Sequence, residues 1–197
     1  MSKRHNASSP FFVWELSVMP YQIKNLVGLA ARGGLKIILE RPKLAALIGA
    51  IAAEWGDIDN LLADIFNFVS LSQPIPIGAH SRSGLAHAIF DNLVAFPIRI
   101  EVIASVMKLR MTLEIQDEFF ALAQQIRRKA GERNDLIHAR WHICDKYPDD
   151  LIQIENGEWI RYTEKDLVDR LNRSAQMTLC VSDFSIKVAH APKLDIQ

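Results

Sequence analysis

An all-α fold, a helical bundle with a small β-meander inserted between its last two helices, is predicted by three observations. Apolar residues at Leu44, Leu47, Ile48, Ile51, Trp55, Ile58, Leu62, Ile65, Phe66 and Val69 recur every three or four positions, which marks one face of a long helix. Segments further on repeat that period around Leu85–Phe96, Ile100–Met111 and Phe119–Ile137. Beyond Trp141 the texture changes to short, partly alternating runs, "WHICD", "LIQIEN" and "EWIRYT", before helical spacing returns.

Taken in order, the polar stretch Met1 to Pro10 is expected to be disordered. The segment after it has a faint signal-peptide character, but Glu15 interrupts its short apolar part and no small-residue cleavage site precedes Pro20. A short helix is expected from Tyr21 to Ala31, ended by Gly33-Gly34. "LKIILE" then reads as a brief strand or as the lead-in to the next helix. Residues 1–40 are thus an N-terminal extension, 41–190 the helical domain and 191–197 a tail. The first long helix starts after Pro42, and "SLSQPIPIG" ends it with two prolines and a glycine. A second helix is expected near Ser83. Pro97 suits the first turn of a third, and a fourth starts near Glu114. The meander occupies about 141–162, with Asn156-Gly157 as its strongest turn signal. Thr163, with Asp166 three residues on, is a variant of the capping box that opens the final helix.

Composition narrows the function classes. The 197 residues carry 23 basic and 23 acidic side chains, so a generally basic nucleic-acid binder is not indicated, although a local patch is. Two cysteines, Cys144 and Cys180, make no disulfide framework and suit a reducing compartment. The apolar run from Leu44 to Ala53 meets Glu54, Asp57 and Asp59 well before it reaches membrane-spanning length. A cytoplasmic protein without membrane association is the expectation.

The densest chemistry lies in "ERNDLIHARW", Glu132 to Trp141, at the end of the fourth helix. Asn134 and His138 are four apart and share a helix face. Arg133 is about 100° round from Asn134, and its long side chain can swing toward the imidazole. A group that titrates near neutrality, a fixed cation and an orienting amide are the parts needed to cleave RNA without metal. A base takes the 2′-OH proton, and a cation stabilises charge growing on the phosphoryl oxygens.

Arg133-Asn134-Asp135-Leu136-Ile137-His138 resembles the R-N-x-x-x-H motif of HEPN domains. The order of elements from Leu44 to Ala189 is also similar: a long first helix, two intermediate helices, a motif helix ending in "HARW", a β excursion and a last helix opened by "YTEKDL". The resemblance implies a metal-independent endoribonuclease, working as a homodimer on RNA without a cofactor and leaving a 2′,3′-cyclic phosphate. Toxin–antitoxin pairs and phage defence are common settings, with an antitoxin or defence-system partner protein. It also admits an inactive module that binds a protein or nucleotide. In the active case His138 is the acid/base, Arg133 the transition-state cation and Asn134 the orienting amide.

The bland alternative is that Arg133 and His138 simply complement the helix C-terminus. Glu54 interrupts the apolar stripe of the first helix. It either pairs with Arg133 or His138 or sits at the stripe's edge and reaches water. Arg127, Arg128, Lys129, Arg133 and Arg140 face only Glu132 and Asp135 as local acids, forming either a phosphate-backbone contact or a solvated face. Arg140 is counted with Glu54 as support for the site. His142 and Cys144 could join His138 around a metal, but no CxxC pattern supports zinc and no metal is assigned. Trp141 and Trp159 can stack on bases or belong to the core.

Overall fold

In a computed structural model that describes residues 20–34, 36–70 and 84–194, the apolar stripe after Pro42 folds as one helix, α1 (Pro42–Ser70). Of its buried side chains, Leu44, Ile48, Ile51, Trp55, Ile58, Leu62, Ile65, Phe66 and Val69 are members of the periodic series, and Ala63 and Asn67 are buried beside them. Leu47 is half-buried. Three helices follow: α2 (Gly84–Asp91), α3 (Phe96–Arg110, with proline in its first turn) and α4 (Leu113–Ile137). The last, α5 (Glu164–His190), is the main packing partner of α1. The expected disorder of residues 1–10, the weak signal-like stretch up to residue 19, the proline-containing turn at 71–83 and the last three tail residues lie outside the described residues.

Strands β3 (Trp141–Cys144), β4 (Tyr147–Glu155) and β5 (Glu158–Tyr162) form the expected meander. Asn156 and Gly157 both take positive φ, 50° and 82°, as a tight hairpin turn with right-handed strand twist requires. The capping box at the start of α5 is complete. Thr163 Oγ1 accepts from the Asp166 amide at 3.2 Å, and the Thr163 amide donates to Asp166 Oδ2 at 2.9 Å.

The fold class is corrected from all-α to mixed α and β. The meander is the centre of a five-stranded antiparallel sheet in the order β1 (Tyr21–Gln22), β5, β4, β3, β2 (Ala31–Gly33). The outer strands come from the segment expected to be a helix: β1 pairs with β5, and β2 pairs with β3. The physical reason is that a three-stranded meander presents unpaired backbone groups at two edges, and any extended segment can satisfy them. The Ile23 amide donates to the Trp159 carbonyl at 2.8 Å in this way. Such a contribution is made by the backbone, so side-chain periodicity does not register it. Between the two strands the chain turns at Gly28, φ 73°, and leaves Val27 89% exposed, which no core-facing helix would do. Two short pieces of the supposed extension, residues 21–22 and 31–33, therefore belong to the sheet. "LKIILE" supplies a short 3₁₀ turn, Ile37–Glu40, that leads into α1.

Gly33 does not end a helix. It sits opposite His142 across the β2–β3 ladder, and a Cβ there would lie 2.6 Å from the imidazole Cδ2. Gly33→Ala is expected to cost about 1–3 kcal/mol through overpacking. The same change in a His142→Ala background should be close to neutral, because the ring it strikes has gone. Urea unfolding of the four proteins measures this coupling, and an equal loss in both backgrounds would show that the imidazole is not the obstacle.

Candidate functional site

The C-terminal half of α4 is held from two directions. Leu136 is buried, 1% exposed, and fixes the helix's inner face in the common core. After the helix ends, Trp141 enters the core and meets Tyr162 edge-on, ring centroids 5.1 Å apart. Only His138, Ala139 and Arg140 separate the helix from that anchor, so the direction in which the motif leaves α4 is set by the sheet.

Arg133 is half-buried, and its Nη1 donates to Asn134 Oδ1 at 2.8 Å. It lines a cleft of about 590 Å³ between α1, the start of α3 and the outer side of α4, which Trp55, Gly56, Phe96, Gly131 and Asn134 also line. Arg99 stands in this cleft but is already committed, with an ion pair to Asp59, a bond to the Leu93 carbonyl and a stack on Phe90. Arg127 lies at the rim, exposed, 3.8 Å from Glu101. Arg133 and Arg127 are thus the cations with capacity left for a ligand there.

His138 is placed differently. It is the C-cap of α4, exposed, with its backbone amide donating to the Asn134 carbonyl at 2.9 Å. Among the described residues its imidazole makes no hydrogen bond or ion pair, and it lines neither this cleft nor those described below. Within one subunit the guanidinium of Arg133 is bonded to Asn134 rather than to His138. The structure therefore brings two of the three motif residues together and leaves His138 on the exposed side of Asn134, one turn further on.

The supporting residues disperse. Glu54 accepts from Thr178 Oγ1 of α5 at 2.8 Å and pairs with neither Arg133 nor His138. Lys129 turns inward to grip both oxygens of Glu132, at 2.7 and 2.8 Å, while Arg127 and Arg128 stay exposed. Consecutive helical positions are about 100° apart, so the basic run cannot form one face. Arg140 is exposed beside a separate cleft of about 610 Å³ formed with Gly33, Ile37 and His142. Trp141 is core, and Trp159 is half-buried on β5. Cys144 is buried, and among the described residues no three His, Cys, Asp or Glu side chains are grouped as metal ligands would be.

Sequence reasoning missed two residues. Arg170 and Arg173 of α5 reach the inner side of Arg133 and line a small cavity with it. Their spacing of three, "RLNR", places them on one side of α5, but nothing in the sequence says that this side meets α4.

The chain matches no protein-family model, no curated protein and no solved structure. Among the described residues, no helix is long and apolar enough to cross a membrane.

Tyr162, beneath Arg170, reports on the site's electrostatics. Burial pushes its phenol above the usual 10, and the positive charge of Arg170, 5.4 Å from the ring centre, opposes that rise. Asp135, Glu155 and Asp166 add to it. Above pH 10 the unfolded chain gives up this proton before the native one does, so the native state loses stability as pH rises through the native value. Arg170→Gln is expected to move Tyr162 higher still. Ultraviolet phenolate titration of wild type and variant tests the sign, and a downward move would show that Arg170 acts on Tyr162 by something other than its charge.

Proposed function

We propose that this protein is a metal-independent endoribonuclease of the HEPN type, acting as a homodimer in the cytoplasm. The observation that carries the reading is Arg133, held by Asn134 at the wall of a nucleotide-sized cleft, with the exposed His138 one turn further along the same helix end.

The chemistry follows from those groups. His138 in its neutral form removes the proton from a ribose 2′-OH. The freed oxygen attacks the adjacent phosphorus, the bond to the 5′-oxygen breaks as that oxygen takes the proton held by the imidazolium, and a 2′,3′-cyclic phosphate and a 5′-hydroxyl result. Arg133 stabilises the charge that accumulates on the non-bridging oxygens, and its bond to Asn134 restricts the guanidinium before substrate arrives. DNA lacks the attacking hydroxyl and is not cut. Because His138 stands outside the cleft of its own subunit, the reading requires a second copy to close the site, with each α4 end facing the other. A toxin or phage-defence role, restrained by a partner protein, fits such an activity.

A second reading has its own support. The Arg133–Asn134 bond and the separate position of His138 equally suit a HEPN-like module that binds a protein or nucleotide partner without cleaving.

Cleavage of single-stranded RNA in chelator separates the two. Wild type should cut, and His138→Ala and Arg133→Ala should each fall by about 10²-fold or more, the usual contribution of a general base or a charge-stabilising donor. Equal rates in wild type and His138→Ala remove the imidazole from the mechanism. Wild type inert on diverse RNAs favours the binding module. Gly131→Leu gives an independent check. A Cβ at Gly131 meets no atom within 4 Å, and leucine is the better helix former by up to about 1 kcal/mol. The variant should keep or raise its thermal midpoint and lose activity by filling the cleft.

A further inference from the structure

We propose a second site that does not rest on the nuclease reading: the small cavity between α4 and α5 is an oxyanion site that takes an oxygen of a phosphate group. Arg133 and Lys129 of α4 and Arg170 and Arg173 of α5 line it, against one carboxylate, Glu132. Glu132 is already gripped through both oxygens by Lys129.

The three arginines are left with positive charge and no acid to meet it. The Nε atoms of Arg133, Arg170 and Arg173 are all buried, and no acceptor of the described residues reaches them. Arg170 donates to the Glu132 carbonyl at a long 3.3 Å, and Arg133 donates to an amide oxygen. Arg32, Arg99 and Arg161 show the usual solution, each holding a carboxylate, Glu40, Asp59 and Asp150. Arg41 and Arg110 also bury an Nε that no acceptor of the described residues reaches, but one at a time rather than three around one cavity. Burying donors of charged groups without partners is costly, and crowding like charges adds repulsion. An anion relieves both. The far wall is apolar, with Ile51, Trp55 and Leu136, which keeps the local dielectric low and strengthens the attraction.

Size sets the ligand class. The cavity is about 20 Å³, room for one water-sized group. It therefore admits one oxygen of a phosphate whose remaining atoms stay at its open side, and not a nucleoside. Guanidinium groups are the side chains suited to such oxygens. The phosphate can be a free oxyanion or a phosphodiester of a strand lying over the cleft.

The test follows thermal unfolding of the full chain titrated with inorganic phosphate or, separately, with the deoxydinucleotide d(ApA), which lacks the attacking hydroxyl and is not cut, each at constant ionic strength against chloride. Wild type should be stabilised by at least one of them. Stabilisation by phosphate alone assigns a free oxyanion, and by d(ApA) a strand phosphodiester. Arg173→Gln should weaken that affinity by about 10-fold or more, the usual consequence of losing a charge-assisted hydrogen bond. Arg173→Lys, which keeps the charge and the fold but loses the planar fork, should fall between. Lys165→Gln, an exposed change on the same helix outside the cavity, should bind as wild type does. No stabilisation by either probe, or equal affinity in wild type and Arg173→Gln, overturns the site. Because the readout is binding, a protein inert on RNA leaves this result standing, and an active nuclease with no phosphate affinity at Arg173 refutes only the site.

Discussion

Trp55 sits where the long helix α1 faces both α4 and α5, and it is 6% exposed. Its ring meets Phe96 of α3 edge-on at 6.0 Å, and its surface walls both the larger cleft and the small cavity beside Arg133. The apolar stripe that carries it, packed chiefly on α5, fixes the separation at which α4 can lie. Arg133 is thus wedged between helices whose spacing is set by hydrophobic burial. Its guanidinium has polar work to do in a place chosen by its apolar neighbours.

That constraint explains why charge is distributed so unevenly over a chain whose basic and acidic residues balance in number. On the sheet an acid comes within reach, as Asp150 of β4 does for Arg161 of the neighbouring β5, or Glu40 of the 3₁₀ turn for Arg32 of the edge strand β2. Around the small cavity between α4 and α5 the lining side chains are aliphatic, aromatic or basic, with the hydroxyl of Ser174. Its one acid, Glu132, reaches Lys129 three residues away on its own helix before it reaches the arginines opposite. The result is a concentration of unanswered donors inside an otherwise neutral molecule.

The sheet plays a positioning role. Trp141 and Tyr162, one on each side of β4, lock the chain leaving α4 to the chain entering α5. Tyr162 also donates to Gln153 Oε1 at 2.9 Å, tying that corner to the middle strand. The geometry of the α4 end therefore depends on residues well outside the motif. Edge strands β1 and β2 widen that platform, and the close approach of Gly33 to His142 keeps the outer strand flush against β3.

Interactions between near neighbours were legible in the sequence. The stripe of α1, the start of α3 at its proline, the Asn156-Gly157 turn and the Thr163–Asp166 capping box all depend on residues a few positions apart, where local geometry fixes the outcome. Arg133 does not belong to this class: its spacing pointed the guanidinium toward His138, and in the folded chain it bonds the adjacent Asn134 instead. Only the tertiary structure decided the rest. Tyr21–Gln22 and Ala31–Gly33 became strands because distant backbone edges were waiting for them. Glu54 found Thr178 rather than the motif, and Arg170 and Arg173 came to face Arg133, through the packing of α5 against α1 and α4. Which faces of separate helices meet is settled by the burial of the whole core at once, and no window of sequence contains that sum.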